Sequence, residues 1–119
     1  MARFVVALAL VLATACRLPG SAQGCANVVI DWVDFIQVGS TQYIASPGTL
    51  QEADLAAVVA HVKFKVADNV CDPSYHPKDG DAAFLEPGTP IYAVNGQAQS
   101  TVLAARHDGQ IWAYRAKSP

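Results

Sequence analysis

The sequence predicts an all-β fold: a small antiparallel barrel or sandwich with at most one short helix. Short runs rich in Val, Ile, Phe, Tyr and Trp recur between turn-forming residues at a spacing of about 8 to 12 residues. The 119 residues suffice for one small domain once a targeting segment is set aside. Charged residues make up 15% of the chain and hydrophobic residues 52%, which suits a packed domain and excludes a disordered chain.

The first predicted strand covers Asn27–Val38, where both faces are apolar, as in a central strand that carries a bulge. Gly39-Ser40 forms a turn and leads into a second strand, Thr41–Ala45. Ser46-Pro47-Gly48 follows, and its turn chemistry predicts that the second strand ends there. The beginning of the domain is therefore expected to be a β-hairpin.

A short helix is predicted next, because Thr49-x-x-Glu52 fits a capping box. We place it near Leu50–Ala57. From Val58 to Ala67 apolar and basic residues alternate, which indicates a half-buried strand with His61 on its polar face. A longer helix through this region is the alternative.

The remaining strands are separated by strong turn signals. Gly88 supplies the positive φ of a type II turn, and Asn95-Gly96 is the strongest hairpin signal in the chain. We expect the last three strands to form an antiparallel meander. The expected strands are Asp81–Leu85, Thr89–Val94, Thr101–Arg106 and Gln110–Arg115.

The N-terminus has the layout of a signal peptide. A single basic residue, Arg3, precedes the apolar run Phe4–Ala15, which is shorter than the roughly 20 residues of a membrane-spanning helix. We assign residues 1–22 to the signal peptide, 23–26 to a tether and 27–116 to a single β domain. Cleavage is expected either before Cys16 or after Ala22.

Each cleavage position resembles a known type of export site. Leu12-Ala13-Thr14-Ala15 before Cys16 resembles the bacterial lipobox, with Leu one position further from the cysteine than in the usual pattern. That resemblance implies a lipid attached to Cys16 and a protein anchored at the cell membrane. Gly20-Ser21-Ala22 instead has the small-x-small pattern of ordinary secretion. Both alternatives place the protein outside the cytoplasm.

Three cysteines are present, and either cleavage leaves two of them as a pair. Cys16 is lipidated or removed, so that Cys25 and Cys71 remain in an oxidising compartment. A disulfide between them closes a long loop, and in the chain-entropy model this closure stabilises the fold by on the order of 4 kcal/mol. Two unpaired thiols and a Cys/His metal site are the alternatives.

Ionisable residues cluster between Asp72 and Asp81, and they allow two interpretations. His76, Asp79 and Asp81 could bind a metal, although the oxygen ligands of an EF-hand do not continue beyond Asp81, and Cys71 with His76 forms only a fragment of a zinc site. The simpler interpretation is that Asp and Gly build turns here. No nucleophile elbow occurs in the sequence.

Two further sets of side chains bear on a role in binding or catalysis. Asp31 and Asp34 are expected to contact solvent or a sheet edge, since paired carboxylates need a cleft for acid–base chemistry. Tyr75, Trp112 and Tyr114 are candidates for a contact surface, where Tyr and Trp are enriched. The net charge of −2 and the pI near 5.8 argue against a nucleic-acid partner, and no cofactor is expected.

Two stretches carry a resemblance to known protein classes. AFLEPGTPIYAV followed by QIWAY resembles bacterial SH3-like modules, in which a Leu-x-x-Gly-Thr turn leads into a strand. DWVDFIQVGSTQYIA together with DGDAAFLEPGTPIYAV resembles small exported bacterial proteins and lipoproteins of no assigned function. The resemblance implies export and transfers no catalytic residue.

The predicted function is that of an exported, lipid-anchored bacterial β domain that binds or scaffolds rather than catalyses. Its expected partners are the membrane, through the lipid on Cys16, and an envelope protein or glycan. The alternative is a small envelope metal-binding protein or hydrolase that uses the loop from Asp72 to Asp81.

Overall fold

A computed structural model of the protein describes Cys25 and residues 29–118. The predictions that fall on residues 1–24 and 26–28 lie outside this range; they include the signal peptide, the lipid on Cys16 and the first two positions of the first predicted strand. The described part of the chain contains one 3₁₀ turn, Glu52–Asp54, and no α-helix. The strands are β1 (Phe35–Val38), β2 (Thr41–Leu50), β3 (Leu55–His61), β4 (Phe64–Lys65), β5 (Asp81–Ala82), β6 (Pro90–Val94), β7 (Val102–His107) and β8 (Gln110–Ala116).

The eight strands form one curled sheet, a half-barrel, in the order β3-β6-β7-β8-β2-β1-β5-β4. Neighbouring strands are antiparallel except β4 and β5, which are parallel. The all-β prediction is confirmed, and so is the antiparallel meander, which consists of β6, β7 and β8.

The predicted first hairpin is present, but its first strand is shorter than expected. β1 begins at Phe35, and residues 29–34 of the predicted strand are not in a strand. The pairing with β2 ends at Phe35 and Ile44, with one further hydrogen bond from the Ala45 N–H to the Asp34 carbonyl. Beyond this bond the side of β2 that faces β1 enters the irregular Ser46-Pro47-Gly48 stretch, and residues 29–33 do not pair with it.

β2 does not end at Ser46-Pro47-Gly48, and that prediction is wrong. The strand continues to Leu50, and its register with β8 shifts between Ala45 and Thr49. Proline and glycine inside a strand are typical of such a bulge, because neither the missing N–H nor a positive φ fits a regular ladder. Gly48 has a φ of 90°.

The short helical turn predicted near Leu50–Ala57 is present but shorter, as the 3₁₀ turn Glu52–Asp54, and the longer helix given as the alternative does not form over these residues. Gln51, not Thr49, precedes the turn, and its N–H donates to the Asp54 carboxylate at 2.8 Å. Thr49 stays in β2, opposite Trp112. From Leu55 the chain pairs with β6 instead of winding further, because extended pairing satisfies its backbone groups.

The predicted strand Val58–Ala67 is divided between β3 and β4. Val62 still exchanges hydrogen bonds with the chain before β6, donating to the Thr89 carbonyl and accepting from Gly88. Lys63 donates instead to the carbonyl of Gly80, just before β5. The chain changes partners between these two residues, so it passes from one edge of the sheet to the other.

The meander differs from the prediction in its turns. Asn95-Gly96 does not close a two-residue hairpin, because the connection between β6 and β7 runs from Asn95 to Thr101. The tight hairpin joins β7 to β8 through Asp108 and Gly109, which have φ values of 52° and 75°. The strand expected over Asp81–Leu85 is limited to β5.

Apolar side chains pack on both faces of the curled sheet. One cluster fills its interior and includes the fully buried Ile36, Leu103 and Tyr114. A second lies on the other face of β6–β8, around Ala104 and Ile111. The third, built on Phe35, Val66 and Ala83, is joined by Tyr75 and Val70 of the loop between β4 and β5. That long loop is therefore packed on the sheet.

Candidate functional site

A disulfide joins Cys25 to Cys71, with a Cα–Cα distance of 5.2 Å and a sequence separation of 46. It connects the segment before β1 to the loop between β4 and β5, here named the β4–β5 loop (residues 66–80). The predicted pairing is confirmed. Since a disulfide sulfur is neither a thiolate nucleophile nor a zinc ligand, Cys71 is excluded from both roles.

Asp72 builds a local turn within the β4–β5 loop. Its Oδ1 accepts hydrogen bonds from the backbone N–H of Ser74 at 2.9 Å and from the Ser74 hydroxyl at 2.6 Å. These two bonds lower the pKa of the Asp72 carboxyl, and nearby His76 lowers it further. Such a side-chain turn is the simple interpretation of an Asp in this position.

Asp79 ties the end of the loop to the β1–β2 turn. Its Oδ1 accepts from the Gly39 N–H at 2.7 Å, and its Oδ2 lies 3.0 Å from Nζ of Lys63. The hydrogen bond from Gly39 lowers the pKa of Asp79 most, followed by the bond from Lys63. The carboxylate thus joins three separate segments of the chain.

Asp81 is buried, and its Oδ2 accepts two hydrogen bonds. The donors are the Tyr75 hydroxyl at 2.6 Å and the Lys78 N–H at 2.8 Å. The bond to Asp81, with a smaller contribution from burial, raises the pKa of Tyr75 to about 12. Tyr75 is half-buried in the third apolar cluster, so its ring and its hydroxyl both hold the loop in place.

The structure gives His76, Asp79 and Asp81 different surroundings. His76 is exposed, Asp79 bonds Gly39 and Lys63, and Asp81 is buried under Tyr75. Within the described part of the chain, no group of three or more His, Cys, Asp or Glu side chains could hold a metal ion. This arrangement offers no support for the metal site considered at these three residues.

Tyr114 is fully buried, so its assignment to an exposed contact surface is wrong. Its hydroxyl donates to the Asp34 carboxylate, with distances of 3.2 and 3.4 Å to the two oxygens. Burial raises the pKa of Tyr114, and the adjacent Asp34 raises it further. Burial also raises the pKa of Asp34, against the opposing effects of Tyr114 and His107. Asp34 is half-buried, whereas Asp31 is exposed.

Trp112 lies between the interior and the surface. It is half-buried against the interior cluster, and its indole N–H donates to the His107 carbonyl at 3.2 Å. Of the three aromatic residues considered for binding, Trp112 and Tyr75 keep partial exposure, but they belong to different clusters. They do not form one patch.

The structure reveals a shallow depression that the sequence analysis missed. Its volume is about 280 Å³, and Arg106 and Glu52 on its wall form a two-pronged ion pair, Nη2 to Oε2 at 2.6 Å and Nη1 to Oε1. The Arg106 guanidinium carbon also lies 5.9 Å from the centroid of the Tyr92 ring. The pair lowers the pKa of Glu52 and raises that of Arg106. No local pattern could reveal it, since the partners are 54 residues apart.

Comparison of the chain with protein-family models, with curated proteins and with solved structures yields no match. Among the described residues, no helix has the length and apolar character needed to cross a membrane.

Proposed function

We propose that the protein is an exported bacterial β domain, held at the membrane by a lipid on Cys16, that binds or scaffolds other envelope components. The observation that carries this proposal is the Cys25–Cys71 disulfide. Disulfides persist in oxidising compartments and are rare in the cytoplasm, so a bond that closes this domain supports export.

The N-terminal sequence supports the same location independently. A basic start, an apolar run and small residues before Cys16 are the features of a signal peptide with a lipobox-like end. Cleavage after Ala22 would instead release the domain as a secreted protein. A short polar tether before Cys25 suits either product.

The hydrogen bonds that hold the β4–β5 loop in place support a binding role. Asp72, Asp79 and Asp81 each accept a backbone N–H, so their carboxylates are engaged in holding the loop. A loop fixed by a disulfide, by three hydrogen bonds between carboxylates and backbone N–H groups and by an apolar cluster presents a constant surface. Such a surface suits recognition of an envelope protein or a glycan, because little ordering entropy is lost on binding.

The intact mass of the protein, isolated from membrane and soluble fractions, tests the proposal. We expect a membrane-bound form that begins at a lipidated Cys16 and gains about two hydrogens on reduction. A soluble form that begins near Gln23 would show that the protein is secreted without a lipid anchor. A chain that retains residues 1–15, or that carries free Cys25 and Cys71, would contradict export.

A further inference from the structure

The sheet ends on one side in β3, which carries an unusually open edge. β3 is the outermost strand in the sheet order, and within the described residues it pairs with β6 alone. None of its seven residues is fully buried. One side of this strand thus presents backbone N–H and C=O groups that a further strand could pair with.

The opposite edge of the sheet is different in length and in charge. β4 has two residues, and its Lys65 forms ion pairs with Asp68 and Glu86, both at 2.8 Å. Lys63, next to it, pairs with Asp79. Short edge strands bearing lysine are a common protection against unwanted strand pairing. The β4 edge is therefore protected by its short length and its lysine, which β3 lacks from Leu55 to Ala60, and the protection of β3 is limited to its bulges.

The side chains of β3 favour contact with another strand. From Leu55 to Ala60 every residue is apolar and uncharged. Val58, at the centre, is 44% exposed, which is unusual for a large apolar side chain in a strand of this chain. Register shifts with β6 flank Val58 on both sides, and the twist that such bulges produce limits the length over which another strand can pair with β3.

We propose that two copies of this chain pair antiparallel along β3, about a two-fold axis at Val58. Antiparallel pairing of a strand with itself is the isologous contact of a symmetric dimer, since residue i of one copy meets residue j of the other and j meets i, and only Val58 on the axis meets itself. The two Val58 side chains then cover each other. The β3–β3 contact would join two eight-stranded sheets into one.

The charges at the ends of β3 support a second copy as the occupant. Glu52 and Asp54 precede the strand, while His61 ends it and Lys63 follows. A two-fold axis at Val58 brings the acidic end of one strand beside the end of its partner that carries His61 and Lys63. Glu52 and Lys63 also form ion pairs within their own copy, with Arg106 and Asp79, but both side chains stay exposed to a second copy. Parallel pairing would place like charges together, which is unfavourable. The strand is thus complementary to itself in the antiparallel direction.

The assembly is expected to stop at two copies. Pairing consumes both β3 edges, and the edges that remain exposed are the lysine-bearing β4 strands. A single pair of short strands makes a small interface, so we expect a dissociation constant of about 10 μM to 1 mM. The inference is independent of export and of the lipid.

Sedimentation of the purified protein, in detergent where it is lipidated, tests the pairing. We expect the mass of a dimer at high concentration, and a loss of dimer by at least about tenfold in Val58→Lys, because lysine on an edge opposes strand pairing. Val33→Lys is the matched control, since Val33 is 51% exposed but lies outside the sheet. A monomer at about 1 mM, or equal effects of both variants, would overturn the proposal.

Two substitutions of opposite charge at His61 provide a second test. Both leave the fold intact, because His61 is exposed. His61→Glu places an acid beside Glu52 and Asp54 of the other copy, and we expect about a two- to fivefold weaker dimer. His61→Lys is expected to pair at least as well as the wild type. Equal dissociation constants for the two variants would contradict the antiparallel register.

A cysteine at the axis identifies the contact directly. Residues directly opposite in antiparallel strands have Cα atoms about 4.5 to 5.5 Å apart, which a disulfide can bridge. We expect Val58→Cys to form a covalent homodimer under mild oxidation and Val33→Cys to remain monomeric. A crosslink from position 58 to a different protein, without a homodimer, would overturn self-pairing and identify another occupant of the edge.

Discussion

The carboxylate of Asp34 occupies a position that disfavours its charge. It is half-buried beside the fully buried Tyr114, and burial raises its pKa. Because the folded-state pKa lies above the unfolded value, the folded protein binds this proton more tightly. The protonated form adds stability that is fully present below the unfolded pKa and is lost as the pH rises through the folded pKa.

Replacing Asp34 by Asn is expected to stabilise the protein at neutral pH. The amide oxygen still accepts from the Tyr114 hydroxyl, while the cost of burying a charge disappears, so the unfolding free energy rises by up to about 1 kcal/mol. The gain shrinks as the pH falls toward the unfolded pKa of the carboxyl. Chemical denaturation between about pH 4 and 7 measures it, with the exposed Asp31→Asn as the control. A less stable Asp34→Asn variant would show that the carboxylate itself is needed.

Residue types predicted the turns of the loop, but not the partners of its side chains. Asp72 could be assigned to a turn from its neighbours, because Ser74 is two residues away. Asp79 binds Gly39 from 40 residues away, and the Tyr114 hydroxyl reaches Asp34 across 80 residues. Such pairs depend on the topology of the sheet, which no local pattern contains.

At the level of elements, the tight two-residue turn forms at Asp108-Gly109 and not at Asn95-Gly96, the hairpin signal that the sequence emphasised. Asn95-Gly96 and Asp108-Gly109 both suit a two-residue turn, which needs positive φ at both positions. In the structure Asn95 instead donates from its side-chain amide to the Ala53 carbonyl at 2.9 Å. Because Asn95 makes this contact with the residues before β3, Asn95-Gly96 does not form the two-residue turn that its sequence favours.

Asp108 adopts a φ of 52°, and its replacement is expected to change the stability of the β7–β8 hairpin. Asp108→Asn should raise the unfolding free energy by about 0.5 kcal/mol, because Asn tolerates this conformation well. Asp108→Val should lower it by about 1 to 2 kcal/mol, since a β-branched residue is strained at positive φ. Urea denaturation of both variants measures the difference. Equal stabilities would mean that the turn relaxes to another form.

The position of the sheet edges also could not be predicted from local patterns. Leu55–Ala57 was expected to lie in a helix, because a capping box precedes an Ala- and Leu-containing run. Pairing with β6 made it part of an edge strand instead. Fold class was easier to predict than pairing order, since strand length and turn spacing are local properties whereas neighbours are not.

At the level of the whole molecule, the disulfide and the β4–β5 loop act together. The loop covers a separate apolar cluster through Val70 and Tyr75, and the disulfide binds the loop to the segment before β1. A domain this small buries a limited apolar surface, so a covalent closure contributes a large part of its stability.

Replacing Cys25 and Cys71 together by Ser is expected to lower the unfolding free energy by about 2 to 5 kcal/mol. We also expect faster amide hydrogen exchange in the β4–β5 loop than in β7 and β8, because the loop loses its covalent attachment. Cys16→Ser is the matched control, since it removes the proposed lipid site and leaves the disulfide. Unchanged stability of the double variant would show that packing alone holds the loop.

The position of the disulfide determines how a mechanical force would enter the domain. Tension applied from the N-terminal side reaches Cys25 and crosses the sulfur bridge to Cys71, bypassing the chain between them. β1, β2, β3 and β4 all lie within that bypassed segment. A pull on the chain at Cys25 would therefore load the sheet at the loop beside β5, and the first four strands could not be drawn out as an extended chain while the bridge is intact.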